Sequence, residues 1–324
     1  MRAAWITSLD GPESVTIRET AEPAADPAAV RIDVAAAGLT FPDVLLTRGE
    51  YQYKPELPFV PGAEVAGVVR TAPADSGFVP GQRVAAFPSF GGFAEVVDVT
   101  PGMVFALPDR LSFAEGCALP MNYLTMHFAL TRRASLRPGE TVLVHGAAGG
   151  IGTAALQLLR AYGARSIAVV SSAEKAAVAK AAGADDVVTA DGFREQVAAL
   201  SGGAGVDMVV DPVGGERFTD SLRSLAPGGR LLVIGFASGE IPQVRVNRLL
   251  LNNIDVVGVA WGAYVSKQPQ YPREQWLELL PLLEAGQLIP PVGTVYPLTD
   301  APLALADMAE RRTMGRSVLR LADW

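Results

Sequence analysis

The 324-residue chain carries 27 Lys and Arg against 34 Asp and Glu, a formal net charge of -7 with no basic run, which argues against a nucleic-acid partner. Hydrophobic residues make up 49% and charged residues 19%, so the chain is globular, and its length suggests two domains. A single cysteine, Cys117, excludes an intramolecular disulfide, and no stretch reaches eighteen uninterrupted apolar residues; the expectation is a soluble, cytoplasmic protein without a membrane partner.

From Met1 to about Met121 the texture is β-rich. Short strands at Ala3–Ile6, Val15–Glu19, Val30–Ala36, Ala63–Arg70, Arg83–Phe87 and Phe93–Val99 are separated by turns such as Pro61-Gly62, Pro80-Gly81 and Pro101-Gly102. This pattern predicts an antiparallel barrel or sandwich. At about Pro120 it gives way to alternating helix and strand. Strands are expected at Thr141–Val144, Ser166–Val170, Asp186–Thr189, Asp207–Val210, Arg230–Gly235 and Asp255–Val259, with helices such as Ala173–Ala182 and Arg217–Leu225 between them. Six strands with crossovers of this length predict a doubly wound parallel sheet, hence an α/β fold. Beyond Trp261, helices at Glu274–Gly286 and Ala301–Arg311 and strands at Val292–Pro297 and Ser317–Leu321 form a tail too short for its own domain, expected to rejoin the N-terminal β region.

The stretch Thr141–Ala164 carries the chemistry. An apolar strand runs into Gly146, Gly149, Gly150 and Gly152, and from Ile151 the positions Ala154, Ala155, Leu158, Leu159 and Tyr162 recur at helical spacing. Strand, glycine turn and helix in that order make a dinucleotide site, with Gly149, Gly150, Ile151 and Gly152 at the helix N-terminus that would face a pyrophosphate. In register with G-x-G-x-x-G, Ala147 fills the first glycine slot.

The second strand ends in Val169-Val170-Ser171-Ser172, with no carboxylate to bond a ribose 2′-hydroxyl until Glu174. Ser171, Ser172 and Lys175 at a helix start offer two hydroxyls and an ammonium to a 2′-phosphate, which points to NADPH over NADH. Ser171-x-x-Glu174 also fits a capping box, a role compatible with phosphate binding. With one cysteine and only His127 and His145, the chain lacks the ligands of a cysteine-rich zinc site, and metal-assisted alcohol chemistry lacks its Lewis acid. Both histidines read as structural.

Six stretches together, Gly38-Leu-Thr-Phe-Pro-Asp43, Leu57-Pro-Phe-Val-Pro-Gly-Ala-Glu-Val-Ala-Gly67, Gly91-Gly-Phe-Ala-Glu95, Leu119-Pro-Met-Asn-Tyr-Leu-Thr125, His145–Gly152 and Val257-Gly-Val-Ala-Trp-Gly262, resemble the zinc-free quinone oxidoreductase branch of the medium-chain dehydrogenase/reductase superfamily, which includes zeta-crystallin. The resemblance implies a GroES-like β-barrel domain, residues 1–121 and 262–324, completed by the C-terminal tail. A Rossmann domain over 122–261 and an active site in the cleft between the two complete the expected architecture. In zinc-bearing relatives a cysteine stands at the place of Thr40 and a histidine at that of Ala63, so Asp43 and Glu64 resemble outer carboxylates left without an ion, expected to hold loops by hydrogen bonds.

Further roles come from the same resemblance. Thr125 lies beside the cofactor, Phe236, Val259 and Trp261 flank the nicotinamide, and Arg316 occupies a basic position near the cleft. Tyr51 is the candidate hydrogen-bond donor or proton source and Thr40 a second catalytic candidate; Phe41, Tyr53 and Phe59, with Trp261, are candidate walls for a planar acceptor. The reaction expected is hydride transfer from NADPH to a quinone, helped by positioning and hydrogen bonds. Alternatives are reduction of the C=C bond of an enone, 2-alkenal or enoyl thioester, or a non-catalytic NADPH-binding or RNA-binding role. A homodimer through the edge of the Rossmann sheet is implied by the resemblance alone.

Overall fold

The computed structural model describes residues 1–322 and divides the chain into two compact units. One comprises Met1–Met121, Pro269–Glu284 and the described residues from Ile289 on; the other comprises Asn122–Gln268 and Ala285–Leu288. In chain order the strands are β1 (Arg2–Trp5), β2 (Thr16–Glu19), β3 (Val30–Gly38), β4 (Glu64–Thr71), β5 (Arg83–Ala86), β6 (Val96–Val99) and β7 (Val104–Ala106). There follow β8 (Thr141–Val144), β9 (Arg165–Val170), β10 (Asp186–Thr189), β11 (Val206–Asp211), β12 (Leu225–Val233), β13 (Asp255–Gly258), β14 (Val292–Pro297) and β15 (Arg316–Arg320). The helices used below are α1 (Phe41–Thr47), α2 (Phe113–Gly116), α3 (Pro120–His127), α4 (Gly150–Ala161) and α5 (Ala173–Ala181).

In the first unit a seven-stranded sheet runs β14-β15-β3-β4-β5-β7, with β6 also paired to β3, and β1 and β2 form a separate ribbon. The tail rejoins it: β15 lies antiparallel to β3 with Val318 opposite Gly38, and β14 lies parallel to β15. Alternate residues of these strands, among them Ile32, Val34, Val65, Val69, Val84 and Leu319, meet Phe93 and Leu305 in one core. This is the expected GroES-like β unit.

The stretch after β3, read from sequence as part of the β-rich region, contains α1. Thr40 caps this helix, accepting the Asp43 N–H while the Asp43 carboxylate accepts the Thr40 N–H, and Pro42 sits in its first turn.

The second unit is a six-stranded all-parallel sheet in the order β10-β9-β8-β11-β12-β13. β8 and β9 are almost entirely buried, as strands covered on both faces must be, and Leu143, Ile167, Val169, Val209 and Leu231 form the core with Phe193 and Leu222. The order reverses between β8 and β11, the place where parallel sheets of this kind open a crevice at their carboxyl ends. β12 begins five residues before the expected Arg230: Leu225 pairs Val206, then residues 226–229 loop out before Arg230 pairs Met208. Among the described residues no helix is long and apolar enough to cross a membrane.

Candidate active site

β8 leads to His145, and the chain turns at Gly146 with φ of +57°, a conformation that favours glycine. α4 starts at Gly150 with Gly149 as its N-cap and no side chain capping it. A Cβ on Gly152 would overlap the Gly146 carbonyl oxygen, and one on Gly150 would lie 2.6 Å from the Asn122 side-chain nitrogen. Positions 150 and 152 are therefore held close to their neighbours by the lack of a side chain. The amides of Gly150, Ile151 and Gly152 have no carbonyl one turn behind to donate to, so they and the helix dipole suit an anion. Pro212 and Val213, after β11, close against Gly146, so the turn sits at the reversal of strand order. Ala147, in the first glycine slot, is fully buried. These residues fit a dinucleotide pyrophosphate.

At the end of β9 it is Ser172, rather than Ser171, that caps the next helix: its hydroxyl accepts the Lys175 N–H at 3.3 Å. The Glu174 carboxyl is held below its ordinary range by a hydrogen bond from that same hydroxyl. Because Ser172 and Glu174 satisfy one another, Ser171 is released from the capping box expected for it, and its hydroxyl accepts from the Lys175 ammonium at 3.3 Å. An exposed hydroxyl and a cation thus lie together at the carboxyl end of β9. Phe236 follows β12 and is partly exposed, while Val259 follows β13 and is buried, its amide donating to the Val233 carbonyl oxygen. Trp261 is 4% exposed, so its indole is buried rather than a wall open to a planar ring. Thr125 is half-buried on α3.

In the first unit a cluster of buried charges surrounds Thr40. The Thr40 hydroxyl donates to Asp43 Oδ2 at 2.5 Å, the Thr40 N–H donates to the same oxygen at 2.8 Å, and the Gly62 N–H donates to Oδ1 at 3.1 Å. Thr40 is 1% exposed and its hydrogen is committed, so it caps and pins rather than protonates. That is a correction to its expected catalytic part. Burial pushes the Asp43 carboxyl up, opposed by these hydrogen bonds and by the Arg316 charge.

Arg316 also departs from expectation. Its guanidinium is buried in an ion pair with Glu64, whose other oxygen accepts the Met121 N–H at 2.9 Å. A guanidinium turned onto a carboxylate is neither solvated nor offered to a cofactor. Burial lowers the Arg316 pKa to about 10, partly offset by Asp43, so it stays charged at neutrality.

Tyr51 packs partly buried against the core of this unit. Burial, and then the negative charge of Asp43, push its phenol above the ordinary range, which keeps the hydroxyl protonated and able to donate. Tyr53 is 61% exposed, its ring 5.2 Å from that of Phe90, and Phe59 meets Phe90 edge-on at 6.2 Å. Phe90, which sequence reasoning passed over, joins the two predicted aromatic residues into one ledge; Phe41 is half-buried at the start of α1. Asn122 and the pairing of Glu64 with Arg316 were missed as well. Asn122 lay in a quoted motif, but nothing in a linear sequence signals that it packs on a glycine twenty-eight positions on.

A GroES-like β unit and a six-stranded dinucleotide-binding unit with a glycine-rich turn define a medium-chain dehydrogenase/reductase. The family model "Alcohol dehydrogenase GroES-like domain" matches residues 26–109, and "Zinc-binding dehydrogenase" matches residues 150–285. The latter span contains none of Thr40, Asp43, Ala63 or Glu64, and among the described residues no group of three His, Cys, Asp or Glu could hold a metal ion.

The chain is 36% identical over 326 residues to quinone oxidoreductase-like protein 2 of Bos taurus, covering 99% of this chain and 92% of that one. It is similar to the quinone oxidoreductase of Thermus thermophilus, solved also as its complex with NADPH, at 38% identity and a TM-score of 0.86 over 99% of this chain and 100% of that chain. The Escherichia coli quinone oxidoreductase complexed with NADPH gives a TM-score of 0.90 at 27% identity, over 99% and 100% of the two chains. The chain belongs to the zinc-free, quinone oxidoreductase-like members of the medium-chain dehydrogenase/reductase superfamily.

The residue at the foot of the turn, His145, is fully buried. The Ser221 hydroxyl donates to the Arg217 carbonyl oxygen at 2.9 Å, so His145 must donate its Nε2–H to that hydroxyl, at 2.8 Å. Burial lowers the His145 pKa to about 4 against an ordinary 6.5. Below pH 6.5 the unfolded chain takes up a proton that the folded chain refuses, so the stability His145 contributes above 6.5 is lost as pH falls towards 4. At 1.4 kcal/mol per unit the loss reaches about 3 kcal/mol. In urea titrations between pH 7 and 4.5, His145→Gln should flatten the acid limb of stability; equal slopes in both proteins would contradict the assignment.

Proposed function

We propose that this protein is an NADPH-dependent, zinc-independent quinone oxidoreductase. The observation that carries the reading is the combination of a glycine-rich β8–α4 turn that admits no Cβ at Gly152 and a β9 terminus bearing Ser171 and Lys175 in place of an acid. The turn amides of Gly150, Ile151 and Gly152 would hold the pyrophosphate, and Lys175 with Ser171 and Ser172 the 2′-phosphate; Thr125, Phe236 and Val259 would border the nicotinamide. NADPH supplies a hydride when bound. The NADPH complexes named for the Thermus and Escherichia proteins support this reading.

The chain's own residues supply the rest. Tyr51 donates a hydrogen bond to the acceptor oxygen as it gains charge, and its raised pKa keeps that proton in place until it is needed. Tyr53 and Phe59 offer ring faces to a planar acceptor, with Phe90 behind them and Phe41 nearby. A phenol held protonated also serves a second reading, in which it protonates the α carbon of an enone, 2-alkenal or enoyl thioester.

The protein acts as a homodimer in this proposal. β13 is a four-residue strand at an open end of the sheet, and Leu250 and Leu251 just before it are 76% and 75% exposed, a combination suited to a second copy.

Steady-state NADPH oxidation with benzoquinone, naphthoquinones, 2-alkenals and crotonyl thioester tests the reaction. Quinones should show the highest kcat/KM; binding of NADPH without turnover of any acceptor would leave a binding protein instead. Lys175→Ala should weaken NADPH about tenfold or more while leaving NADH nearly unchanged, since it removes one charge-assisted bond worth about 1.5–3 kcal/mol; equal losses would make Lys175 a surface cation. Tyr51→Phe should lower kcat by roughly 100-fold, the low end for a positioned acid, without altering NADPH affinity. An unchanged rate would leave that ring as a wall.

A further inference from the structure

Two segments of the second unit meet where the order of its parallel sheet reverses: the glycine turn after β8 and the chain after β11. His145 joins them from beneath. Its backbone N–H donates to the Val210 carbonyl oxygen at 3.0 Å, which extends the β8–β11 ladder to the foot of the turn. Its ring meets the ring of Phe193, the first residue of α6 (Phe193–Leu200), edge-on at 4.9 Å. The Nε2–H donates to the hydroxyl of Ser221 on α7 (Phe218–Arg223) at 2.8 Å. That hydroxyl donates at 2.9 Å to the carbonyl oxygen of Arg217, the N-cap of the same helix. His145 and Ser221 have no exposed surface, so water does not compete for either bond. Among the described residues Nδ1 has no hydrogen-bond partner, which leaves Nε2 as the ring's one polar tie.

The chain between β11 and α7 completes the loop of contacts. Asp211, at the end of β11, is buried and accepts the Val213 and Gly214 amides at 2.9 Å each. Val213 and Pro212 in turn lie against Gly146. The connection thus runs from Gly146 through Val213 to Arg217 and Ser221, and returns to His145 beside Gly146. The geometry points to His145 as a positioning residue: by holding α7 through Ser221 it locks the chain after β11 against the glycine turn and fixes the opening between them. His145 touches no cofactor in this scheme. Only the consequence for binding rests on reading the turn as the NADPH site.

The test separates the donor from the bulk of the ring. His145→Gln carries an N–H to the place of Nε2, and His145→Met fills similar space without one. Ser221→Ala cuts the same connection at its middle with a smaller change. Amide hydrogen exchange of the unliganded proteins should be about tenfold or more faster over residues 145–153 and 213–221 in the Met and Ala variants, and near wild type in the Gln variant. Equal rates in the Gln and Met variants would overturn the inference, and so would a rise spread evenly over β9 and β10.

With only two histidines in the chain, loss of a signal in His145→Gln assigns the His145 imidazole in nitrogen-15 spectra. The wild-type ring should carry its proton on Nε2; a proton on Nδ1 would contradict the connection to Ser221. For binding, the probe is 2′-phospho-ADP-ribose, which is NADPH without its nicotinamide. Its affinity should fall about tenfold in the Met and Ala variants and stay near wild type in the Gln variant. Equal affinity in all three would overturn the role in fixing the opening. If exchange behaves as expected but the wild-type protein does not bind the probe, the positioning role stands and the functional reading falls.

Discussion

A carboxylate sealed from water must be neutralised, protonated or paired, and Glu64 is paired. The choice of partner spreads the consequences through the first unit. Arg316 opens β15, so the guanidinium reaches Glu64 only because the tail of the chain lies beside β3, whose other neighbour, β4, begins with Glu64 itself. The second carboxylate, Asp43, takes three hydrogen bonds from Thr40 and Gly62 and feels the same positive charge. One fixed guanidinium thereby steadies two anionic groups, the cap of α1, the turn at Gly62 and the start of α3. Removing the pair whole costs less than breaking it, because the penalty lies in the unpartnered member.

The second unit depends on backbone rather than on charge. α4 passes so near Gly146 that position 152 admits no Cβ, and this closeness delivers the first helical amides to the carboxyl end of β8. The two devices are of different kinds. In the proposed site, affinity for an anion would come from amides present in any sequence able to fold this way, whereas discrimination between cofactors would depend on Ser171 and Lys175, two side chains that a single substitution could alter.

Much of this was legible in the linear chain. The all-parallel sheet was announced by buried β-branched runs at Thr141–Val144, Ser166–Val170 and Asp207–Val210, whose period is set by burial on both faces. The glycine turn and Lys175 could be read because their chemistry is local. α1 was also locally written, as Thr40-Phe-Pro-Asp43, a cap with a first-turn proline, yet the surrounding β-rich texture masked it. What could not be read were contacts between residues far apart in sequence. Arg316 looks like any arginine opening a strand until the pairing of β15 with β3 brings it to Glu64, 252 positions earlier. Phe90 and Asn122 likewise acquire meaning from neighbours that only folding supplies. Ser172 rather than Ser171 is the cap because α5 starts at Ala173, which puts the Ser172 hydroxyl next to the first free amides; strand end and helix start both fell where expected, and the spacing to Glu174 alone suggested the wrong serine.

The contact between Asn122 and Gly150 also constrains how such a chain can drift over generations. Alanine at position 150 would press on the Asn122 amide rather than strain its own backbone, so Asn122 must turn aside or give way to something smaller to admit it. The two positions are then tied: a lineage that gains a side chain at 150 is expected to move or shorten the one at 122 as well.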